Sequence, residues 1–437
     1  MTAKGPAPDF QAGAVYAASR LVVDADRVYA PGAVAVAGGV VLVSGPRDQV
    51  LGSVPASYPV REFPGEAILP GLVNAHTHLQ IPRFAGATGE PPAPHPSFVD
   101  WLLQVILWRL QADPSSFAGN FRSAAAEALS CGVTTVGEIA GPDLSVYASS
   151  PVRARVFAEG IGFAPDSAPA VLEAVREAVR LLEEAAASNP LIAPGVSPHT
   201  LYSVGKELLH SLGELAASKK LPACLHLAES AAETEFLESG SGEIASRLFP
   251  ALGQDVSRFR GIGRSVPEYL AEAGLLRPGL LLAHNVHLAV PAIDALRKGG
   301  ARFVLCPRSN AGHGNGAPNV TYFVDAGIPF ALGTDSAASV PTLDLWEEIR
   351  LARSLYKGVR YDPGLCRELL KAATANGTAA LSLPGGILAQ GSPADFTVVD
   401  DPGGSGCDFF RNLVDRTGRS NVRLTVVAGR TAYESTA

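Results

Sequence analysis

Short apolar runs bounded by Gly and Pro recur from Ala14 onward, and their spacing divides the chain into three stretches. From Ala14 to Val60 and just beyond, the β-rich runs Val15 to Val23, Ala33 to Val43 and Tyr58 to Phe63 predict a small antiparallel sheet. A matching pattern returns at Asp395 to Val399 and Arg423 to Val427, each after turn-forming residues. The economical arrangement is one small β-sandwich domain built from both termini, residues 1–68 plus 389–437, around an insert of 69–388.

Within the insert, apolar runs alternate with helix-like segments. The strand candidates are Leu72–Ala75, Thr134–Glu138, Val156–Gly160, Ile192–Ser197, Ala223–Leu227, Leu280–Ala283, Arg302–Cys306 and Phe330–Gly333. Between them, Phe117–Ser130, Pro169–Ala187, Lys206–Ala217, Glu233–Leu237 and Val290–Lys298 carry helical patterning. This alternation predicts an α/β fold, a (β/α)8 TIM barrel. Ser97 to Leu110 reads as an additional helix after the first barrel strand, placed to cover the barrel mouth.

Composition narrows the partners. Of 437 residues, 47% are hydrophobic and 18% charged, which suits a packed protein and not a disordered one. The net charge of −7 provides neither a nucleic-acid footprint nor a polybasic membrane patch, so a small-molecule substrate is expected. No apolar run approaches the roughly 18 residues of a membrane span, and Met1 to Gln11 lacks a signal-peptide pattern. Five scattered cysteines (Cys131, Cys224, Cys306, Cys366, Cys407) give no disulfide framework, in keeping with a cytoplasmic protein. A homo-oligomer is compatible with the sequence.

Candidate chemistry collects at the ends of the apolar runs. The first strand ends in His76-Thr-His78, and residues two apart on a strand point the same way. His226 closes the fifth run, His284 the sixth and Asp335 the eighth. Each histidine alone also reads as a buried structural residue; their shared position is where barrel enzymes gather catalytic groups. Three His and one carboxylate suit a divalent transition metal, Zn²⁺ first and Fe²⁺ or Mn²⁺ as alternatives, with a position left for water.

These pieces together resemble the amidohydrolase superfamily, in its deaminase/chlorohydrolase branch. The resemblance rests on Leu69-Pro-Gly-Leu-Val-Asn-Ala-His-Thr-His78, Ser197-Pro-His199, His226-Leu-Ala-Glu229, Ala283-His284-Asn-Val-His287, Leu332-Gly-Thr-Asp335-Ser-Ala-Ala-Ser339 and Gly385 to Asp395. It implies that His76, His78, His226 and Asp335 hold one metal ion, while Glu229, His284 and Asp335 serve the hydrolytic chemistry. It further implies substrate contacts for His199 and Ser339. Binuclear members carry a bridging lysine after the fourth strand; Ser197-Pro-His199 stands here instead, which implies a single ion.

The segment Leu305-Cys-Pro-Arg308-Ser-Asn310 is similar to the aminodeoxyfutalosine deaminases of menaquinone biosynthesis, which act on an adenine nucleoside bearing a carboxyphenyl ketone. Arg308 is therefore expected to meet a substrate carboxylate, and Trp101 and Phe98 its aromatic parts. The implied activity is hydrolytic deamination of 6-amino-6-deoxyfutalosine. Adenosylhomocysteine, methylthioadenosine, guanine or a triazine are the alternatives, and a non-catalytic scaffold on the same fold the remote one. Arg153, Arg155 and Arg83 are further anion-binding candidates, whereas His287 reads as structural and His95, His210 and His313 as loop or surface residues.

Overall fold

The computed structural model describes residues 13–84, 97–360 and 362–436. Strands β1 (Ala14–Asp24), β2 (Arg27–Tyr29), β3 (Gly32–Ala37), β4 (Val40–Pro46) and β5 (Val60–Pro70) come first. Then follow β6 (Leu72–His78), β7 (Val133–Ile139), β8 (Arg153–Gly160), β9 (Ile192–Pro198), β10 (Ala223–Leu227), β11 (Leu280–His284), β12 (Arg302–Leu305), β13 (Phe330–Leu332) and β14 (Asp335–Ser336). Strands β15 (Phe396–Asp400), β16 (Val422–Val427) and β17 (Arg430–Glu434) come last.

Strands from both ends of the chain share one sheet, ordered β17-β16-β15-β5-β1-β3-β4, with β2 on β1. The expected sandwich of two sheets is thus not how the hydrogen bonds run: all eight strands form one connected sheet. The cause is β5, which lies parallel to β1 and antiparallel to β15, joining the two termini in a single ladder. Alternation along β1 sends Tyr16 and Ala18 into a cluster with Ile68, Phe396 and Leu424, and Val15 and Ala17 into another with Ala33 and Val50. The run Ala33 to Val43 is a hairpin and not one strand. Gly38 and Gly39, at φ 58° and 79°, supply the two left-handed residues its tight turn requires.

The second sheet is parallel, nine-stranded and ordered β13-β12-β11-β10-β9-β8-β7-β6-β14, which fits a TIM-like barrel. β13 stops after Leu332, Gly333 and Thr334 step across, and β14 pairs with the end of β6, Asp335 opposite Thr77. Glycine is needed at 333 because an added Cβ would lie 2.8 Å from the His76 Cβ and 2.9 Å from its backbone nitrogen. Asn74 secures the same seam: its Nδ2 donates to Thr334 Oγ1 (2.7 Å) and its Oδ1 accepts the Thr334 N–H (2.9 Å). Apolar side chains from seven strands fill the lumen, among them Val73, Ile139, Phe157, Cys224, Leu281, Val304 and Ala331.

The helices Phe98–Gln111, Ser116–Ser130, Ala168–Ser188, Lys206–Ser218, Ala231–Ser239 and Val290–Lys298 occur where expected, within a few residues. The helices Leu345–Leu355, Asp362–Ala372 and Cys407–Arg416, which the apolar pattern does not announce, pack on one another beside the last barrel strands. Among the described residues, no helix is long and apolar enough to cross a membrane.

Two of the arginines considered as anion sites instead hold the fold at the N-terminal side of β8. Arg153 is buried and pairs through Nε and Nη2 with the buried Asp395 (2.6 and 3.3 Å), tying the barrel to the strands of the C-terminal stretch. Arg155 donates to the carbonyls of Leu381, Pro194 and Ser382. Removing one partner of a buried ion pair strands the other charge away from water. Arg153→Leu should therefore destabilise the protein by about 3–5 kcal/mol in denaturant titrations. Arg153→Leu/Asp395→Leu should recover a large part of that loss, and a double variant no better than the single one would contradict this account.

Candidate active site

The H-x-H pair does not reach the barrel axis by simple alternation. Val73 and Ala75 already point into the lumen, so a regular strand would send His76 and His78 outward. The ladder between β6 and β7 loses register between Asn74 and Thr77, and this irregularity turns both imidazoles toward the axis. Glu138, buried at the end of β7, holds that distorted segment. It accepts the Thr77 hydroxyl (2.7 Å), the Leu79 N–H (3.0 and 3.1 Å) and the Tyr147 hydroxyl (3.3 Å). Burial pushes its carboxyl up to about 8, against the pull of these hydrogen bonds.

The residues expected at the strand ends meet in one place. His76 with His78 and Asp335, His76 with His226 and His284, and Glu229 with His284 and Asp335 each bring donor atoms within 4.8 Å of one another. His78 Nε2 lies 3.2 Å from His226 Nε2 and 3.4 Å from Asp335 Oδ1, and His284 Nε2 lies 3.7 Å from Glu229 Oε2. His76, His78, His226 and His284 stand at the C-terminal ends of β6, β10 and β11, Glu229 two residues past β10, and Asp335 at the start of β14, just beyond β13. Backbone strain gathers here too. Ala228, His284, Asn285 and Asp335 hold φ between 51° and 72°, four of the seven non-glycine residues at positive φ among those described.

The outer hydrogen bonds fix which atom each side chain offers. His226 Nδ1 donates to the His199 carbonyl (2.8 Å), which leaves its Nε2 lone pair facing the cluster. His284 Nδ1 donates to Asn310 Oδ1 (2.9 Å), with the same result. Asp335 Oδ2 accepts from Ser309 and Ser339 (both 2.8 Å), so Oδ1 is the oxygen turned to the histidines. Glu229 is held at both ends. The Glu233 carboxylate accepts the N–H groups of Ala228 and Glu229 (both 2.9 Å), and Asn315 Nδ2 approaches Glu229 Oε1 at 3.5 Å. His287 supports Asn315 in turn by bonding to its carbonyl (2.9 Å).

Electrostatics follow from burial and crowding. Burial and then neighbouring imidazoles drive His76 and His226 well below the ordinary histidine range, and burial also lowers His78, His199 and His284. Burial followed by Asp335 raises Glu229 well above a normal carboxyl. Burial would raise Asp335 as well, but His78, His284, His76 and the Ser309 hydroxyl outweigh it and keep Asp335 ionised. The donor set passes a direct test for a cation. Both ring nitrogens of His76 are buried without a hydrogen-bond partner, on an imidazole held neutral beside an ionised carboxylate.

The expected substrate contacts fare unevenly. His199 lies beside His226, with ring centroids 5.0 Å apart. Ser339 spends its hydroxyl on Asp335. Trp101 stands on the helix Phe98–Gln111 and packs tilted against His313, ring centroids 4.0 Å apart, with Phe98 5.7 Å away. His313, read as a loop residue, thus has a packing partner, and His95 lies outside the described residues. Arg308 does not stand open at the mouth. Its guanidinium meets Glu347 (2.6 Å), Glu348 (3.6 Å) and the Thr342 carbonyl (3.0 Å), and the side chain is only 12% exposed. Ser309, Asn310, Asn315, Glu138 and Glu233 complete the site without having been expected there from the sequence. Two of these adjoin Arg308 in the segment singled out for it, and Ser230-Ala-Ala-Glu233 has the spacing of a helix-capping box.

Comparison with known proteins agrees with this geometry. Residues 67–432 match the Amidohydrolase family. A 5-methylthioadenosine/S-adenosylhomocysteine deaminase of Nitratidesulfovibrio vulgaris strain Miyazaki F is 33% identical over 96% of this chain and 92% of its own. An aminodeoxyfutalosine deaminase of Deinococcus radiodurans is 31% identical over 79% of this chain and 80% of its own. Among solved structures, Helicobacter pylori aminofutalosine deaminase superposes with a TM-score of 0.81 at 21% identity, covering 96% of this chain and 99% of that one. A zinc-bound adenosine deaminase from Xanthomonas campestris gives 0.77 at 25% identity, covering 95% and 92%.

Histidine titration gives a test of the electrostatics. Neutral imidazole binds a cation and imidazolium does not, so lowered histidine pKa values extend the binding form to more acid solution. We expect the His76 and His226 imidazoles of the metal-free protein to take up protons only below pH 6.5, the ordinary histidine value, in an NMR titration. Titration at or above that pH would show that burial does not hold these rings neutral.

Proposed function

Because the chain belongs to the amidohydrolase family and is a hydrolytic enzyme, we propose that it removes the exocyclic amine of an adenine-type nucleoside, with 6-amino-6-deoxyfutalosine as the first substrate to test. The observation that carries this reading is the meeting of a cation-binding donor set with the buried carboxyl of Glu229. Both the Deinococcus relative and the Cys306-Pro-Arg-Ser-Asn310 segment support the specific substrate. The Nitratidesulfovibrio relative, which aligns over more of the chain, supports methylthioadenosine and adenosylhomocysteine as the second reading.

His76, His78, His226 and Asp335 are the residues we assign to one divalent ion, with Zn²⁺ favoured by three nitrogens and one oxygen. When bound there, such an ion would supply a water of pKa about 7 as the nucleophile at neutral pH. His284, its Nδ1 proton committed to Asn310, can accept a hydrogen bond from the attacking water through Nε2 and so orient it. Glu229 accepts a proton from that water and delivers it to the ring nitrogen beside the attacked carbon. Burial and then Asp335 raise its pKa, which favours a carboxyl that carries a proton from one site to the other. A new C–O bond forms as the C–N bond breaks. Asp335, steadied by Ser309 and Ser339, passes the second water proton to the departing amine, which leaves as ammonia.

An ammonia-release assay over aminodeoxyfutalosine, adenosylhomocysteine, methylthioadenosine, adenosine and guanine tests the reading. Aminodeoxyfutalosine should be turned over at least as efficiently as the others; if another nucleoside is clearly preferred, the specific substrate fails while the reaction stands. Glu229→Gln should lower kcat by about 10²–10⁴ with metal content intact. Wild-type turnover in that variant would remove Glu229 from the chemistry.

A further inference from the structure

The arginine expected to read an acidic substrate is already engaged by the protein, which raises the question of which cation does face the mouth. Arg308 is enclosed by Glu347, Glu348 and Thr342. Arg247 is surrounded by Asp100, Glu243 and Ser97. Arg83 pairs with Glu127, which stands on the helix Ser116–Ser130 and not on a barrel strand, and which also accepts the Leu343 N–H. Arg109 differs from all three. It sits in the last turn of the helix Phe98–Gln111, and its Nη1 donates to Glu159 Oε2 at 3.3 Å.

Glu159 gives Arg109 its position. On β8, Phe157 points into the lumen, so Glu159 two residues later points the same way at the C-terminal mouth. Its side chain is only 8% exposed, whereas that of Arg109 is 46% exposed. Among the described residues Arg109 has no other hydrogen bond, which leaves Nε and Nη2 free to donate outward.

We propose that Arg109, held over the barrel mouth by Glu159, is the specificity residue that binds a carboxylate at the far end of the substrate's 5′ substituent. This rests on the nucleoside deaminase reading above. A guanidinium with one edge anchored and another open is preorganised for a carboxylate, and its fixed place spares part of the entropy of ordering a long side chain. The carboxylate could belong to an aryl acid, as in aminodeoxyfutalosine, or to an amino acid, as in adenosylhomocysteine. Methylthioadenosine lacks it.

Steady-state kinetics of the metal-loaded full chain on these three nucleosides test the proposal. Arg109→Ala should lower kcat/KM on the acid or acids that the wild type uses by about 10- to 100-fold more than on methylthioadenosine. Losing Arg109 also leaves Glu159 unpaired, and that charge alone could repel an acid. Arg109→Ala/Glu159→Gln removes both charges, and the selective loss should persist in it. Return of the wild-type ratio in the double variant, or equal losses on all three substrates in the single one, would overturn the assignment. Arg308→Ala should lower the melting temperature without a comparable change in that ratio; a larger selective loss there than in Arg109→Ala would move the role back to Arg308. A wild type that uses methylthioadenosine but neither acid would sink the Arg109 proposal and leave the deaminase reading intact. A wild type that deaminates no adenine nucleoside would sink both.

Discussion

The pairing of β14 with β6 is the constraint on which the rest of the site depends. It sets Asp335 opposite Thr77, between the two histidines of the first strand. Without that register the carboxylate and the imidazoles would belong to opposite edges of an open sheet. Three local features enforce it: the close approach allowed by Gly333, the two hydrogen bonds of Asn74 to Thr334, and the left-handed backbone of Asp335. Each has a cost in backbone freedom or strain, and each lies within a residue or two of a proposed ligand. The Leu-Gly-Thr-Asp and Asn-Ala-His-Thr-His motifs are thus two halves of one joint.

Around that joint the protein uses hydrogen bonds mainly to decide which lone pair faces inward. Backbone carbonyl His199, the side chain of Asn310 and the hydroxyls of Ser309 and Ser339 act on three different groups to the same end. Glu233 works on the main chain, tethering the strained turn at Ala228 through which Glu229 enters the pocket. The low local dielectric strengthens these contacts and makes a missing one costly.

Much of this was legible in the sequence because it rests on periodicity and residue type. The eight barrel strands and most of the helices between them followed from alternating apolar runs, and five of the six clustered residues from their places at run ends, Glu229 coming from the family resemblance instead. Other features depend on side-chain partners that no local pattern contains. Arg308 looked like a reader of substrate because nothing nearby announced Glu347 and Glu348, which are some 40 residues away. Arg153 met its partner Asp395 only through the closure of the chain. The inward turn of His76 and His78 was anticipated for the wrong reason, since simple alternation would have failed and the register shift supplied what it could not. A single connected sheet in place of a sandwich was hidden similarly, because parallel pairing of β1 with β5 leaves no turn signature.

That sheet also imposes an order of events on biosynthesis. β5 immediately precedes the first barrel strand, yet one of its two edges stays vacant until β15 emerges from the ribosome more than 300 residues later. The barrel must therefore be translated while the platform leading into it still presents an unsatisfied row of backbone donors and acceptors, the kind of edge that invites pairing with another chain. Arg153 likewise waits 242 residues for Asp395. High-level expression should tax this chain at the nascent stage, and chaperone supply, more than the stability of the finished fold, should govern soluble yield.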